Sequence, residues 1–394
     1  MQPYRIAILG CRARGAAAAR AYHAHPRAQI VGLCDLVPER LAQLGAELGV
    51  DAHFTDLDQM IEQSRPDIVA IPTATEFHYE LCMRVLEHGV NLEVEKPLCT
   101  TLAEADILLA KAQAKGLRTA VHHQSRAGVS IQTLAHALRA GQIGQPHYLT
   151  ASGKGYYGGY GLMNIGTHLI NSLLEFTGPC RRVSAIALVD GRPATPADVI
   201  LAPSGMGPIM GEHITATLQF AGNLTATLRQ HRFPAIDSPA MNIEILGATG
   251  RLLHSHQRGP WWLPVPSYTP DDEQSIWQPL EFRLPAAYHH RQNQTTFQSP
   301  LESAADDYGF VEEYVQALDQ GREHICSGIQ GRHVMEIMMG IFESAAYGHP
   351  VDLPQAQRDH PLLRWRQEAG LAPPTPTPRP YPEWLQAEDQ RLGR

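Results

Sequence analysis

Arg5-Ile6-Ala7-Ile8-Leu9-Gly10-Cys11-Arg12-Ala13-Arg14-Gly15, followed by Ala16-Ala17-Ala18-Ala19-Arg20-Ala21-Tyr22, is the stretch on which the fold turns. An apolar run of strand length meets a glycine-bounded turn, which leads straight into an alanine-rich segment of high helix propensity. The same alternation continues outward. Gln29-Ile30-Val31-Gly32-Leu33-Cys34 reads as a second buried strand that ends in Asp35, and Pro38 opens a helix that Gly49 closes. Residues 67–71 and 90–95 are further strands, with a helix over 76–88 between them that Gly89 stops. Thr101-Leu102-Ala103-Glu104 is a capping box for a helix that runs to Lys115, with Gly116 at its end. Thr119-Ala120-Val121-His122-His123 is the last strand of the series. Strands alternating with helices predict a doubly wound parallel sheet with right-handed crossovers over residues 1–125.

The first turn has the ingredients of a dinucleotide site, which needs backbone N–H groups at a helix N-terminus and no side chain over the pyrophosphate. The G-x-G-x-x-G fingerprint would put glycine at position 12, where this chain has Arg12; a guanidinium can itself meet phosphate. On the turn alone, an ordinary strand-to-helix connection is an equal reading. Asp35 favours the nucleotide, because an acid at the end of the second strand accepts hydrogen bonds from ribose hydroxyls. The alternative for Asp35 is a cap for the helix that begins at Pro38. A carboxylate there repels a 2′-phosphate, so NAD is expected over NADP. Gly10, Cys11, Arg12, Ala13, Arg14 and Asp35 are the expected cofactor contacts from this half of the site.

Beyond residue 125 the period changes. Ile214-Thr215-Ala216-Thr217-Leu218-Gln219-Phe220 and Leu224-Thr225-Ala226-Thr227-Leu228 alternate with period two around Ala221-Gly222, and 241–246 pairs naturally with 251–254 across a glycine turn. These hairpins predict a second domain, residues 126–394, of α+β type with a large, mostly antiparallel open sheet. Helices are expected over 129–140, 164–176, 308–318 and 333–347. Residues 192–210 and 258–300 read as long loops, and the proline-rich 373–382 as an extended tail.

Of the 394 residues, 40 are acidic and 32 basic, a formal charge of −8 that disfavours nucleic acid and anionic membranes as partners. The six cysteines include no C-x-x-C pair, and no H-E-x-x-H or comparable spacing accompanies the 20 histidines, so no metal is expected. No secretory leader is legible, and no run approaches the roughly 20 apolar residues of a membrane span, so a cytoplasmic protein is expected.

Glu95-Lys96-Pro97 places an amine at the C-terminal end of a buried strand, where doubly wound folds bind ligands. Further on, Asn164, His168 and Asn171 fall on one helical face beside an apolar stripe, as in a helix that lines a cleft. The preceding Gly153-Lys154-Gly155-Tyr156-Tyr157-Gly158-Gly159-Tyr160-Gly161 combines glycines that permit close approach with tyrosines that stack on sugar faces. His122, His123, Gln124 and Arg126 follow the last strand of the first domain, again at a strand end.

With these residues in this order, the chain resembles the glucose–fructose oxidoreductase / inositol dehydrogenase / rhizopine catabolism (Gfo/Idh/MocA) family. The motifs are the Gly10–Gly15 turn with Asp35, Ile71-Pro72-Thr73 with His78, Glu95-Lys96-Pro97, Gly166-Thr167-His168, and the closing stretch from Phe342 to Pro354. The resemblance implies a Rossmann domain, a C-terminal α/β domain whose open sheet makes oligomers (a homodimer or homotetramer), and NAD(P)-linked chemistry on sugars and polyols. It implies that Lys96 lies between nicotinamide and the reacting hydroxyl and that His168 is the general base. Pro72, Thr73, Glu95, Pro97 and Gln124 would complete the cofactor site, and His123, Lys154, Tyr157 and Asn164 would join Lys96 and His168 around the substrate. His78 reads equally as a ligand contact and as a structural residue. Asn164, and often Asn171, stand where the family has aspartates, and an amide cannot raise the basicity of His168 as a carboxylate does. The expected activity is hydride transfer between a secondary hydroxyl of a sugar, sugar derivative or cyclic polyol and NAD. Two alternatives remain open at this level: a glycoside-cleaving enzyme that retains its NAD, and a non-catalytic NAD-binding sensor.

Overall fold

The computed structural model describes residues 2–265, 276–282, 284, 286–289, 291–293, 297, 299–375 and 380–394. The chain divides into two compact units, and these are not two consecutive stretches. Unit 1 is Met1–Cys99, Ala103–Val129 and Arg283–Arg332; unit 2 is Thr100–Leu102, Ser130–Phe282 and His333–Arg394.

Unit 1 holds a six-stranded parallel sheet made of β1 (Tyr4–Leu9), β2 (Ala28–Cys34), β3 (His53–Phe54), β4 (Ile68–Ile71), β5 (Asn91–Val94) and β6 (Thr119–Val121), in the order β3-β2-β1-β4-β5-β6. Its helices are α1 (Ala13–Ala24), α2 (Pro38–Leu48), α3 (Leu57–Ser64), α4 (His78–Glu87), α5 (Leu102–Ala114) and the short α6 (Gln124–Ala127). β4 is buried throughout and β1 from Ile6 to Leu9, as the apolar runs require of a sheet covered on both faces. The order reverses between β1 and β4, so the crevice at the C-terminal ends of these strands is the topological switch point.

β3, α3 and the four-residue α6 of unit 1 escaped the pattern reading. β3 is only two residues long, too short for a periodicity. α3 follows Asp56, whose carboxylate accepts from the backbone N–H of Gln59 at 2.9 Å, and Asp56-x-x-Gln59 was a legible start signal. The more consequential difference is α10 (Ser303–Asp319), which the chain contributes to unit 1 from late in the sequence. Its Phe310, Val311 and Tyr314 join Ile6, Ile8, Tyr22, Leu33 and Ile68 in the core of this unit.

Unit 2 contains a mixed, mostly antiparallel sheet, as the hairpins predicted. Its strands are β7 (Pro146–Ser152), β8 (Cys180–Val189), β9 (Arg192–Pro193), β12 (His213–Phe220), β13 (Thr225–His231), β14 (Asn242–Gly247), β15 (Arg251–Ser255), β16 (Gly259–Leu263), β17 (Gln278–Pro279) and β18 (Val351–Asp352); β10 (Ile200–Leu201) and β11 (Pro208–Ile209) form a separate ribbon. Ile214, Ala216, Leu218 and Phe220 of β12 are buried, and Thr215, Thr217 and Gln219 face outward. The pairing of β7 with β13 is parallel. The helices are α7 (Val129–Arg139), α8 (Gly158–Gly161), α9 (Thr167–Thr177), α11 (Gly328–Tyr347, which begins in unit 1), α12 (Pro361–Glu368) and α13 (Tyr381–Arg391).

Three loop expectations change. Residues 192–210 contain β9, β10, β11 and two short 3-10 turns. Trp261 and Trp262, expected in a loop, lie in β16 and pair with β15. The proline-rich tail ends in α13, which no hydrophobic period announced; residues 376–379 of that tail and 266–275 of the second loop lie outside the described residues.

Candidate active site

The expected site residues are divided between the units. Gly10 to Arg14, Asp35, Pro72, Thr73, His78, Glu95, Lys96, Pro97, His123 and Gln124 belong to unit 1; Lys154, Tyr157, Asn164 and His168 belong to unit 2.

In unit 1 the strand ends gather the expected cofactor residues. Gly10 has φ +107°, a conformation that only glycine adopts freely, and its N–H donates to Cys34 O at 2.7 Å. A Cβ on Gly15 would lie 1.7 Å from the Gly10 carbonyl oxygen, so the helix closes onto the turn only because residue 15 has no side chain. Arg12 occupies the N-cap of α1 with φ −76° and ψ −176°, an extended conformation open to any residue, and its side chain is exposed. The missing second glycine therefore costs the turn no strain. Asp35 is 8% exposed, and its two oxygens accept from the backbone N–H groups of Cys11 at 2.7 Å and Val37 at 2.9 Å. Both readings of this carboxylate hold at once, since it braces the start of α2 and sits beside the glycine turn. Arg40 approaches its Oδ1 at 3.5 Å. The Cys11 thiol is pushed up to about 12, first by burial and then by Asp35, and stays protonated.

Two further polar atoms lie just beyond strand ends of this unit. Thr73 Oγ1 and Gln124 Oε1 are buried without a hydrogen-bond partner among the described residues. Buried polar atoms of this kind are rare in folded proteins. A dinucleotide laid over the Gly10 turn would meet a positive-φ glycine, a helix N-terminus without an acidic first turn, the Asp35 carboxylate and these orphaned acceptor and donor atoms, so the residues present fit that cofactor.

His78 is structural. Its fully buried ring bridges Pro97 O at 2.8 Å and Thr73 O at 3.1 Å, tying the loop after β4 to the one after β5. Burial pulls its pKa below the usual imidazole range. Lys96 is 9% exposed at the end of β5, and the Lys96–Pro97 peptide is cis. His123 is also buried; burial first, then the charge of Lys96, hold it neutral. Arg14 does not aim its guanidinium at the expected pyrophosphate position: it bonds Asp307 and Glu95.

In unit 2 the helix expected to begin at Asn164 begins earlier. α8 continues through a π-helical turn, Leu162–Gly166, into α9 without a break. Asn164 lies inside that turn and is not an N-cap. Its Nδ2 donates to the Tyr160 hydroxyl at 3.2 Å. π-turns inserted in α-helices recur at functional sites, where they re-aim side chains. His168 follows in the first turn of α9 and is 7% exposed, and Asn171 is fully buried.

The Gly-Tyr run is occupied largely by its own protein. A Cβ on Gly155 would lie 2.3 Å from the Phe233 ring, and one on Gly158 would lie 2.6 Å from Gln230 O. Tyr157, expected at the substrate, is fully buried: its hydroxyl donates to Glu388 at 3.2 Å, its N–H to the Tyr381 hydroxyl at 3.0 Å, and its ring meets Trp384 edge-on. It is a packing residue. Arg232 is likewise committed, to Asp389 and Glu212. Lys154 remains partly exposed, and burial lowers its pKa. Among the described residues no three His, Cys, Asp or Glu side chains converge as a metal site, and no helix is long and apolar enough to cross a membrane.

The parallel sheet, its switch point and the glycine turn with Asp35 define a doubly wound α/β unit of the Rossmann type. Residues 4–123 match the Gfo/Idh/MocA family model described as "Oxidoreductase family, NAD-binding Rossmann fold". D-apiose dehydrogenase of Paraburkholderia graminis is 31% identical over 145 residues, covering 37% of this chain and 39% of that protein. scyllo-Inositol 2-dehydrogenase (NAD(+)) of Bacillus subtilis is 29% identical over 150 residues, or 36% and 42% of the two chains. The chain thus spans about two fifths of the length of these curated relatives. The fold likeness extends further: a levoglucosan dehydrogenase solved with NADH and levoglucosan superposes with a TM-score of 0.73 at 18% identity, over 90% of this chain and all of that one.

Proposed function

We propose that the protein is an NAD-dependent oxidoreductase that moves a hydride between a secondary hydroxyl of a sugar, sugar derivative or cyclic polyol and the nicotinamide. The observation that carries this reading is Lys96, held at the end of β5 in a sheet whose other strand ends present the Gly10 turn, Asp35 and the orphaned Thr73 hydroxyl. NAD, when bound, supplies the hydride acceptor. Lys96 holds the substrate oxygen with its ammonium, stabilising charge as it develops there. His168 takes the hydroxyl proton, with Asn164 and Lys154 as substrate contacts, and His123 is kept neutral beside the lysine. Asp35 would hold the adenosine ribose hydroxyls, and its charge would repel a 2′-phosphate, so NAD is preferred to NADP. The activity of relatives such as the D-apiose and scyllo-inositol dehydrogenases supports this substrate class. A homo-oligomer formed through the open sheet of unit 2, in the cytoplasm, completes the proposal.

Incubation with NAD and a panel of polyols, free sugars and glycosides, read by NADH absorbance and product mass together, tests it. Stoichiometric NADH and a product two hydrogens lighter are expected. Cleaved glycoside without net NADH would replace the proposal with the retained-cofactor reaction. Lys96→Met should lower kcat by about 10²–10³, the loss typical of one preorganised donor, and leave the NADH dissociation constant near that of the wild type. Equal affinity for NADH and NADPH would remove the role given to Asp35.

A further inference from the structure

A single chain of charges, buried except at the half-buried Arg14, joins the nucleotide turn to the lysine turn within unit 1. Arg14 Nη2 donates to Asp307 Oδ1 at 3.0 Å, and its Nη1 to Oδ2 and Nε to Glu95 Oε2 both at 3.4 Å. Asp307 Oδ1 also meets His122 Nε2 at 2.9 Å, and His122 Nδ1 meets Glu93 Oε1 at 2.6 Å. The Tyr22 hydroxyl donates to the other oxygen of Glu93. Tyr22 and His122 are at most 1% exposed, Glu93 and Asp307 3%. Only the protonated imidazole donates from both nitrogens, so only the cation satisfies both carboxylates. Burial alone would depress the imidazole, but Glu93 and Asp307 raise it to about 10. Asp307 stays ionised because His122 and Arg14 overcome the burial that would raise it.

Assembling such a network costs more than filling the same space with apolar side chains. Its position suggests what it holds. The last member is Glu95, one peptide bond from Lys96, and its cation comes from the turn that receives the cofactor. The planar fork of arginine can grip two carboxylates at once, which a lysine point charge cannot.

We propose that Arg14 is a positioning residue for the reactive lysine: by holding Glu95 together with Asp307 it fixes the backbone from which Lys96 projects and makes the nucleotide turn and the lysine turn one rigid piece. The proposal rests on the role given above to Lys96. The test compares Arg14→Met, Arg14→Lys and Asp307→Asn with the wild type in kcat, KM, NADH affinity and amide hydrogen exchange at residues 94–98. Arg14→Met should keep its NADH affinity and substrate KM, lose kcat by about 10²-fold, as for a catalytic group displaced by an ångström, and exchange faster at 94–98. Arg14→Lys, which can hold one carboxylate, should recover part of both losses. Unchanged kcat in Arg14→Met, or a kcat loss that merely follows weakened NADH binding, overturns the proposal. Asp307→Asn loosens the same segment by removing the far anchor and serves where Arg14→Met does not fold. Should Lys96→Met prove fully active, the assignment of Lys96 falls, and exchange at 94–98 still decides the clamp: wild-type rates in both variants overturn it.

Discussion

Asn164 is the residue at which the chain departs most from the acid–base arrangement of the family it resembles. It lies four residues before His168, in the π-turn that leads into the same helix, and brings an amide where a carboxylate would raise the imidazole pKa. Asn164→Asp restores that charge. Because the proposed base acts in its neutral form, a raised pKa moves the acidic limb of the kcat/KM profile to higher pH; an unmoved limb would separate His168 from proton transfer. The positions of single residues were legible where a strand end sets them. Asp35 and Lys96 end buried strands, and strand ends are recognisable from apolar runs. Tyr157 was not, since nothing in a Gly-Tyr run says which ring turns inward to Glu388. Asp307 was invisible for a different reason. Its partner Arg14 is 293 residues away, and only Glu93, a carboxylate inside an apolar strand, hinted that a buried cation was needed.

Among elements, the β1–α1 turn shows steric need overriding propensity. Replacing a helical glycine with alanine normally gains up to about 1 kcal/mol. At Gly15 the new methyl would meet a backbone oxygen at 1.7 Å, so Gly15→Ala should instead destabilise by about 1–3 kcal/mol or more, as overpacking does. Urea unfolding and NADH titration check this, and a stabilised variant with intact affinity would contradict it. Period and punctuation located β1, β2, β4, β5 and both hairpins, because each buries a face of definite period. They failed for β3 and the strands of residues 192–210, which are too short to carry one, and for the π-turn, where an inserted residue breaks the 3.6 repeat on which the spacing argument relied.

At the scale of the whole molecule, the last residues of the chain belong to the core of unit 2. Trp384 is fully buried, donates to Leu201 O at 2.8 Å and packs against Tyr157, while Asp389 and Arg394 pair with Arg232 and Glu212. Trp384→Ala should cost about 3–5 kcal/mol in denaturant unfolding, the usual loss for a buried tryptophan; a loss below 1 kcal/mol would mean that α13 is dispensable. Unit 1 carries its own pH signature. His122 is raised to about 10 in the folded chain from about 6.5 unfolded, so its contribution is complete below pH 6.5 and disappears as pH climbs through 10. Wild-type stability should therefore drop more between pH 7 and 9.5 than that of His122→Gln.

The return of α10 to unit 1 has a consequence for biosynthesis. When a ribosome has delivered β6, the nascent chain contains every strand of the parallel sheet but lacks Phe310, Val311, Tyr314 and the Asp307 carboxylate that faces His122. Those groups emerge only after nearly all the strands of the other unit have been made. The unit that holds the parallel sheet thus waits, incomplete, while the other is translated, and a gene fragment ending at residue 125 encodes a sheet without its last wall.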